Sequence, residues 1–393
     1  MQNKPPASRN TTLLTIASLA VAGLVTAWCV MDGQAAEDRA AITDTPQIQT
    51  TVVADALEFP WSVAFLPDDA GFLVTERDGR LLHISQDGKT RHEISGLPAH
   101  LFAKGQGGLF DITLAPDYAE SKQVYFAFAG GTADANNTEL AMATLDIAAH
   151  ALRDVKVIFK AEPKTKGAHH YGGRILFTKD GHILLTLGDR YTQRDRAQTT
   201  DSHLGKIVRL MPDGSAPKDN PFVGTAGAKA EVYTMGNRNM QGIAIYPANG
   251  DIWFHEHGPR GGDEVNILKA GANYGWPVVT YGHEYSGLPI TDLRHKDGME
   301  DAIVQWTPSI APSGMAFYTG DQLPQWKGDL FVGALAGQHL RRLDIEGGRI
   351  IKQERLLTDL ESRIRDVRNG PDGYLYILTD GPEGQLIKLE RKR

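Results

Sequence analysis

The sequence predicts an all-β fold, and more specifically a six-bladed β-propeller. The first observation is a recurring pattern of a short apolar strand, a turn containing Asp with Gly or Pro, and a second apolar strand. Alternating apolar runs bounded by such turns are typical of β-hairpins. The second observation is the glycine content, 42 of 393 residues, which favours turns and short strands over long helices. The third is the number of copies, because six repeats at roughly blade-sized spacing indicate a propeller.

The repeat has six copies, all of them beyond residue 45. In order along the chain they begin at Trp61, Gly108, Gly172, Gln241, Ser313 and Ile364. The segment from Ile48 to Val53 precedes the first copy, and we expect it to add a strand to the last blade, because such closure removes exposed sheet edges. A pair of β-sandwiches is the alternative fold, which the regular recurrence of hairpins disfavours.

The N-terminal segment has the composition of a secretory signal. Two basic residues precede an apolar stretch from Leu13 to Val30, and the small residues Gly33 and Ala35 follow in the positions of a cleavage site. We therefore expect residues 1–35 to be a signal peptide and residues 36–393 to be a single propeller domain, periplasmic or secreted. An uncleaved anchor is the alternative, since the apolar stretch approaches the length of a membrane span. We expect no membrane span in the mature chain.

Charge and cysteine content exclude several classes of protein. Lys and Arg together number 41 and Asp and Glu 48, giving a net charge of −7. Nucleic-acid-binding proteins normally carry a basic excess instead, so no nucleic acid is expected as a partner. Cys29 is the single cysteine, which rules out an intramolecular disulfide and a Cys-based metal site. The chain also has no CxxCH haem motif, so the electrons released by any redox reaction at its site must pass to a separate acceptor.

Polar and glycine-rich strings lie between the copies, several of them just before the first strand of a copy. In order they are KGQGGLF from Lys104, HHYGGR from His169, GNRNMQG from Gly236, EHGPRGGDE from Glu256, NYGW from Asn273 and RIRD from Arg363. In a propeller the loops before the inner strands converge on one mouth of the central channel, where a ligand can be held from several sides. These strings therefore form the candidate site.

Each string also has a purely structural interpretation. A histidine shortly before two glycines is more often a turn or packing residue than a base. Arg363 and Arg365 stand at alternate positions of a strand and point the same way, so they either bind an anion together or pair with surface carboxylates. Asp263 and Glu264 carry the hard oxygen donors that calcium prefers, but a pair of this kind after two glycines is often a solvated turn.

Taken together, the strings resemble the glucose/sorbosone dehydrogenase family, soluble aldose sugar dehydrogenases that use pyrroloquinoline quinone. The resemblance runs in order from Leu57 to Leu389, on HYGGR, GNRNMQG, EHGPRGGDEVN, NYGWP, SGMAFY and RIRDVRNGPDGYLYILTD. The EHGPRGGDE string with NYGWP is highly specific, whereas the PDGYLY turn occurs in other propellers. The resemblance implies a six-bladed propeller, in agreement with the repeat count. It also implies oxidation of an aldose at C1 to the lactone, with hydride passing to the quinone.

The resemblance also assigns roles to matched residues. The implied base is His170, with His169 as its rival, and a neutral imidazole suits proton abstraction near pH 7. The quinone is a planar tricarboxylate, which arginine binds with a bidentate fork. The positions that match quinone contacts of the family are Gln106, Arg238, Asn239, Tyr285, Ala334, Ala336, Arg363 and Arg365.

Calcium is the second cofactor that the resemblance implies. One ion is expected to polarise the quinone as a Lewis acid, held by the backbone carbonyls of Gly258 and Pro259. Glu264 and the backbone of Tyr274 match a further calcium site that is structural in the family.

The chain departs from the family pattern at Ala336, where a Lys commonly lies over the cofactor. One cofactor cation is therefore missing, and either quinone binding is weaker or another cation such as Arg341 compensates. Two other functions remain as alternatives. A propeller that binds sugar or protein without redox chemistry is disfavoured by the retention of His170 with the arginines. A calcium-dependent propeller lactonase needs several side-chain oxygen ligands in the channel, which the strings do not supply. The loop from Thr280 to Asp301 is a candidate for substrate contact.

Overall fold

The structure, a computed structural model, describes residues 48–392, and these form six four-stranded antiparallel sheets. The expected signal peptide, Cys29 and the domain boundary after residue 35 lie outside the described residues. A single turn of α-helix, α1 (Tyr118–Ser121), lies between the first two strands of one sheet. None of the helices within residues 48–392 is long and apolar enough to span a membrane.

Each sheet is one blade of a propeller, and its strands follow the chain order outward. The chain begins with β1 (Ile48–Leu57). Blade 1 contains β2 (Pro60–Phe65), β3 (Phe72–Glu76), β4 (Arg80–Ile84) and β5 (Arg91–Glu93). Blade 2 contains β6 (Leu109–Leu114), β7 (Gln123–Gly131), β8 (Asn136–Asp146) and β9 (Ala151–Lys160). Blade 3 contains β10 (Gly172–Phe177), β11 (Ile183–Leu187), β12 (Lys206–Leu210) and β13 (Val232–Thr234).

The remaining blades repeat this order, and the last one takes in the first strand of the chain. Blade 4 contains β14 (Met240–Ile245), β15 (Ile252–Glu256), β16 (Asp263–Ile267) and β17 (Val304–Trp306). Blade 5 contains β18 (Pro312–Phe317), β19 (Leu330–Ala334), β20 (His339–Glu346) and β21 (Arg349–Leu356). Blade 6 contains β22 (Ile364–Asn369), β23 (Leu375–Thr379), β24 (Gly384–Arg391) and β1.

The first strand of the chain closes the ring. Strand β1 pairs antiparallel with β24, so that Ile48 stands opposite Arg391 and Thr50 opposite Leu389. The predicted closing strand is therefore confirmed. The inner strands β2, β6, β10, β14, β18 and β22 contact one another in a ring. Each of the six sequence copies begins at or beside the start of one of these strands, which confirms the predicted six-bladed propeller.

The core lies between the blades, because strands in the middle of a blade are buried on both faces. In β7, Phe126 and Phe128 pack into one apolar cluster, while the alternate residues Tyr125 and Ala127 pack into another. This follows from the two-residue period of a strand, in which neighbours point to opposite faces. Burial of each large side chain of this type stabilises the fold by roughly 1.5–3 kcal/mol.

The fold collects the loops of the candidate site at one end of the propeller. In an antiparallel pair, the start of one strand and the end of its partner lie at the same end. The segments before β6, β10, β14 and β22 and those after β11, β15, β19 and β23 therefore share one face. All the glycine-rich strings belong to these segments or to the loop between β16 and β17.

Candidate active site

A buried histidine and a buried aspartate form a pair at this end of the propeller. His170 lies before β10, and its Nδ1 is 2.7 Å from Oδ1 of Asp189, which follows β11. The backbone N–H of His170 donates to Oε1 of Gln106 at 2.8 Å. A carboxylate can only accept, so Nδ1 carries the proton and Nε2 holds the lone pair that a base requires.

The surroundings keep this imidazole neutral. Burial, followed by the positive charge of Arg238, lowers the pKa of His170 below its usual value, although the hydrogen bond to Asp189 opposes the shift. Burial by itself would raise the pKa of Asp189. Its hydrogen bond to His170 and the positive charge of Arg238 outweigh this effect, so the pKa of the carboxyl is lowered overall. The pair therefore consists of a neutral imidazole and an ionised carboxylate near pH 7.

Asp189 also connects two other parts of the site. Its Oδ2 accepts from the indole Nε1–H of Trp276 at 2.8 Å, and its Oδ1 accepts from the backbone N–H of Tyr191 at 2.8 Å. Neither Asp189 nor the role of Trp276 was predicted from the sequence. The available signals were weak, because Asp189 is the last residue of the string LLTLGD and Trp276 is part of NYGWP.

Arg238 and Asn239, which precede β14, join three of the glycine-rich strings. The Nη1 of Arg238 donates to the carbonyl oxygens of His257 and Gly258, both at 3.0 Å. Its guanidinium lies 5.3 Å from the centre of the Trp276 ring. The side-chain oxygen of Asn239 accepts from the backbone N–H of a glycine at the start of β10, at 3.1 Å. The structure therefore brings Gln106, His170, Arg238, Asn239 and Gly258 together as one connected group.

The two arginines of the RIRD string share a single carboxylate. Nε of Arg363 is 2.9 Å and Nη2 of Arg365 is 3.3 Å from Oδ2 of Asp380, which follows β23. Burial opposes the charge of Asp380, but these two cations lower the pKa of its carboxyl overall. The carboxylate is buried rather than on the surface, and one of the two positive charges remains in excess. Asp380 was not predicted from the sequence, although it ends the string RIRDVRNGPDGYLYILTD and lies only 17 and 15 residues from the two arginines.

The position of the missing family lysine lies beside one of these arginines. Ala334 is buried at the end of β19, whereas Ala336 is exposed and donates its N–H to the carbonyl of Ile310 at 3.0 Å. Nη1 of Arg363 lies 3.4 Å from the carbonyl oxygen of Leu335, between the two alanines. Arg341, suggested by the sequence as a substitute cation, is buried with its guanidinium 6.0 Å from the ring of Trp306.

A small cavity beside Arg238 is lined by oxygen-bearing groups. The cavity measures about 10 Å³, the space of a single water or ion. Its lining includes Glu256, Gly258, Glu264 and Tyr274. Burial raises the pKa of Glu256, and loss of water together with the charge of Glu256 raises the pKa of Glu264. Two carboxylates that repel each other in this way are stabilised by a bound cation.

Three of the four residues predicted to hold calcium share a cavity. Gly258, Glu264 and Tyr274 line one common cavity, whereas Pro259 is not part of its lining and packs against the backbone of Gly282. In residues 48–392, no group of three or more His, Cys, Asp or Glu side chains is placed to hold a metal. An ion in this cavity would therefore draw on two carboxylates and backbone carbonyls, which are the oxygen ligands that calcium accepts.

Asp263 is not part of a solvated turn. It is fully buried, and its carboxylate accepts from the backbone N–H groups of Gly258, Ile310 and Ala311 at 2.9, 2.7 and 3.0 Å. Burial raises the pKa of this carboxyl to about 6. The side chain therefore clamps the loop after β15 to the segment before β18. The interpretation of Asp263 as a surface turn residue is wrong, because the turn faces the neighbouring blade rather than water.

Two predicted residues lie at the edge of the group. The side chain of Tyr285 is 60% exposed, on the long loop between β16 and β17. Its neighbour Glu284 forms an ion pair with Arg194, which ties this loop to the segment after β11. His169 is exposed, unlike His170; its backbone carbonyl accepts from Arg190 at 2.6 Å, and its ring lies 5.7 Å from the ring of Tyr191.

These features define what the site can do chemically. A neutral, carboxylate-oriented imidazole can accept a proton from a hydroxyl group. The arginines at the mouth provide positive charge for an anionic ligand, and the acidic cavity provides a place for one cation.

Known proteins resemble this chain in both sequence and fold. The family model described as glucose/sorbosone dehydrogenase matches residues 57–388. The aldose sugar dehydrogenase YliI of Escherichia coli K12 is 41% identical over 345 residues, covering 87% of this chain and 92% of that protein. The crystal structure of the E. coli soluble aldose sugar dehydrogenase without cofactor has a TM-score of 0.85 at 41% identity, covering 88% of this chain and 100% of that one. The quinone-bound aldose sugar dehydrogenase of Streptomyces coelicolor has a TM-score of 0.72 at 28% identity, covering 88% and 98%.

Proposed function

Because the chain belongs to the glucose/sorbosone dehydrogenase family, we propose that it oxidises aldose sugars at C1 to lactones with pyrroloquinoline quinone as the hydride acceptor. The names of its relatives support a sugar substrate, and the quinone-bound Streptomyces relative supports this cofactor. The observation that carries the proposal is the buried His170–Asp189 pair beside the guanidinium of Arg238. This combination supplies a base and a positive charge at one point of the propeller mouth.

His170 is the proposed base. Its Nε2 accepts the proton of the C1 hydroxyl while the C1 hydrogen leaves with its electron pair, so that a C=O bond forms and the ring becomes a lactone. The quinone supplies the two-electron acceptor for that hydride when it is bound. Asp189 holds the imidazole by Nδ1 and stabilises the positive charge that the ring gains. The positive charge of Arg238, which also lowers the pKa of His170, would favour the negative charge that develops on the C1 oxygen.

The cations at the mouth are the proposed quinone-binding groups. Arg363 and Arg365 share Asp380, and this carboxylate fixes both guanidinium groups before any ligand arrives. Such preorganisation reduces the entropy that binding would otherwise cost. Gln106, Arg238, Asn239, Tyr285, Ala334 and Ala336 complete the proposed contact set.

Calcium is proposed for the acidic cavity. Glu256 and Glu264 are two carboxylates whose ionisation is disfavoured in the folded chain, which supports a divalent cation as their counter-charge. The side-chain Oδ1 of Asn266, next to them on β16, is buried without a hydrogen-bond partner among the described residues. Gly258 would add its carbonyl, and this carbonyl already accepts from Arg238, so the ion and the guanidinium would be linked.

The lactonase alternative is disfavoured by the charges inside the channel. That chemistry needs free side-chain oxygens around a channel calcium. Here Asp366 is 2.9 Å from Nη1 of Arg174 and 2.9 Å from Nε of Arg368, and Asp111 also pairs with Arg368. Both carboxylates are therefore neutralised by arginine rather than available to a metal.

Export is proposed from the N-terminal segment, so that the reaction takes place in the periplasm or outside the cell, with a separate electron acceptor. Expression of the full chain with compartment fractionation and N-terminal sequencing of the mature protein tests this. A mature protein that begins near residue 36 is expected. A full-length protein retained in the membrane or cytoplasm contradicts it.

Reconstitution tests the main proposal. Purified protein receives the quinone and calcium, and reduction of an artificial dye is followed with glucose, xylose and other aldoses. We expect turnover with at least one aldose, a loss of about 10²–10⁴-fold in His170→Ala, and nearly unchanged quinone binding in that variant. His169→Ala is the matched control and should retain activity. Absence of dye reduction with every aldose, despite measured quinone binding, would overturn the proposal.

A further inference from the structure

An exposed tyrosine packs against the proposed base. The ring of Tyr191 lies 5.4 Å from the imidazole of His170, nearly perpendicular to it at 83°, and 5.7 Å from the ring of His169. The side chain of Tyr191 is nevertheless 48% exposed. Among the described residues, none forms a hydrogen bond with its hydroxyl group. A large aromatic surface is therefore presented to solvent directly beside the group that would abstract the proton.

The backbone holds Tyr191 in this place against a conformational cost. Arg190 and Tyr191 have φ angles of 60° and 65°, in the left-handed region that bulky residues rarely adopt. Two consecutive residues of this kind persist only where the surroundings impose them, and they cluster at functional sites. Strain of this kind is therefore typical of a position whose side chain has a functional role.

The contacts of Arg190 impose the turn. Its guanidinium is buried, lies 3.6 Å from the centre of the Tyr171 ring and donates to Thr165, His169, Asn136 and Gly167. The backbone N–H of Tyr191 then donates to the same Asp189 oxygen that holds His170. The turn thus positions the aromatic ring and the base together.

An ion pair links the segment that carries Tyr191 to a neighbouring loop. Arg194, three residues after Tyr191, pairs with Glu284, which precedes the exposed Tyr285. The segment after β11, with the exposed Tyr191, is therefore linked to the long loop of blade 4, with the exposed Tyr281 and Tyr285.

We propose that Tyr191 is a substrate-binding residue on which one C–H-rich face of the aldose ring packs, and that it contributes to specificity for pyranoses. This inference rests on the proposed function. Aromatic rings line small-molecule sites because they bury apolar surface at little conformational cost, and a pyranose with equatorial hydroxyl groups exposes such a surface on its faces. A sugar packed on Tyr191 lies next to His170, so contact with this ring brings the C1 hydroxyl towards Nε2.

The experiment compares three substitutions in the protein reconstituted with quinone and calcium. Tyr191→Ala removes the ring, and we expect KM for glucose and xylose to rise about tenfold while kcat changes less than about threefold. Tyr191→Phe keeps the ring and should remain within about twofold of the wild type. Tyr191→Gly removes the ring and also relieves the strained φ angle, so it should fold at least as stably as Tyr191→Ala and show the same rise in KM.

Direct binding separates this inference from the proposed function. Titration of the quinone-free protein with glucose or xylose, followed by ligand-observed NMR, should show weaker binding in Tyr191→Ala and Tyr191→Gly than in the wild type.

The combined outcomes distinguish the two proposals. Sugar binding that depends on the Tyr191 ring, without any turnover, refutes the proposed function but supports the role of Tyr191. Turnover with an unchanged KM in Tyr191→Ala overturns the inference alone. A variant with unchanged KM, lowered kcat and a shifted pH profile also overturns it, because Tyr191 then acts on His170 rather than on the sugar. A wild type that neither binds nor oxidises an aldose refutes both.

Discussion

Replacement of Asp189 by Asn is the perturbation that tests the base most sharply. The carboxylate accepts three hydrogen bonds, two at Oδ1 from His170 and Tyr191 and one at Oδ2 from Trp276. An amide can reproduce only part of this pattern, since one of its two ends donates. The two donors at Oδ1 outnumber the single donor at Oδ2, so we predict that the amide oxygen faces His170 and its NH₂ group faces Trp276.

This orientation sets the size of the expected effect. The proton stays on Nδ1, so His170 keeps the tautomer that a base needs. The lost quantity is the negative charge that stabilises the imidazolium. Hydrogen bonds to charged groups contribute roughly 1.5–3 kcal/mol and neutral ones roughly 0.5–1.5 kcal/mol. The difference of about 1–1.5 kcal/mol corresponds to roughly a tenfold fall in kcat for Asp189→Asn.

Asp189→Ala removes the orientation as well as the charge. We expect its kcat to fall about 10²-fold or more, approaching the loss in His170→Ala. The double variant should be little worse than His170→Ala, because the two residues act as a unit. In Asp189→Asn the indole N–H of Trp276 loses its acceptor, and an unsatisfied buried donor of this kind lowers the free energy of unfolding by about 1–3 kcal/mol.

Steady-state dye reduction with saturating quinone provides kcat, and chemical denaturation provides the free energy of unfolding. A kcat of Asp189→Asn within twofold of the wild type refutes the role of the charge. A loss above about 10³-fold, equal to that of Asp189→Ala, refutes the predicted orientation, since it indicates that the amide donates to His170 and imposes the wrong tautomer.

Three further predictions follow from the other parts of the site. Chelation of calcium should lower both activity and Tm, since an ion that binds only the folded chain stabilises it by mass action. Glu264→Gln should lose most of the calcium-dependent rise in Tm. An unchanged Tm after verified removal of the metal contradicts the proposed calcium site. Ala336→Lys should tighten quinone binding about tenfold to hundredfold in an equilibrium titration, whereas the uncharged control Ala336→Met should not. Equal or weaker binding in the lysine variant indicates that Arg363 already supplies the positive charge and repels the added lysine. Because the pKa of His170 is lowered, the acid limb of kcat/KM should lie below pH ~6.5 and move lower still in Asp189→Asn. For the same reason, the contribution of His170 to the free energy of unfolding is complete above its unfolded pKa of about 6.5. It decreases as the pH falls below that value, because the unfolded chain then binds a proton that the buried imidazole does not. An acid limb of kcat/KM above pH 7 contradicts the lowered pKa of His170.

Much of the fold was predictable because the information that specifies it is local. Alternating apolar residues and Asp-Gly turns mark each hairpin within about twenty residues, and repetition of the hairpin predicts the blades. The closing role of β1 followed from the requirement to cover a sheet edge. The glycine-rich strings could be assigned to one mouth for the same reason, since their place relative to the inner strands can be read along the chain.

The partners of the site residues depend on side-chain contacts, within a hairpin and between blades, that the pattern of strands and turns does not specify. Asp189 lies 19 residues from His170, and its other side-chain partner, Trp276, is 87 residues from it, on the loop of another blade. Asp380 joins Arg363 and Arg365 because the start of β22 lies beside the end of its antiparallel partner β23 at the mouth. Nothing in the local sequence distinguishes these carboxylates from surface ones.

The sequence by itself determined the blade count, the closing strand and the set of loops that meet at the mouth, because strand periodicity and turn chemistry act over a few residues. Only the tertiary structure decided which side chains at the mouth are buried, which are paired and which are exposed. It buried Asp263 as a clamp between two blades, set Glu256 against Glu264 in one cavity, and left Tyr191 exposed beside His170. The physical reason is that the burial and the pairing of a charge depend on the side chains that the folded chain packs around it, and the pattern of strands and turns does not specify those side-chain contacts.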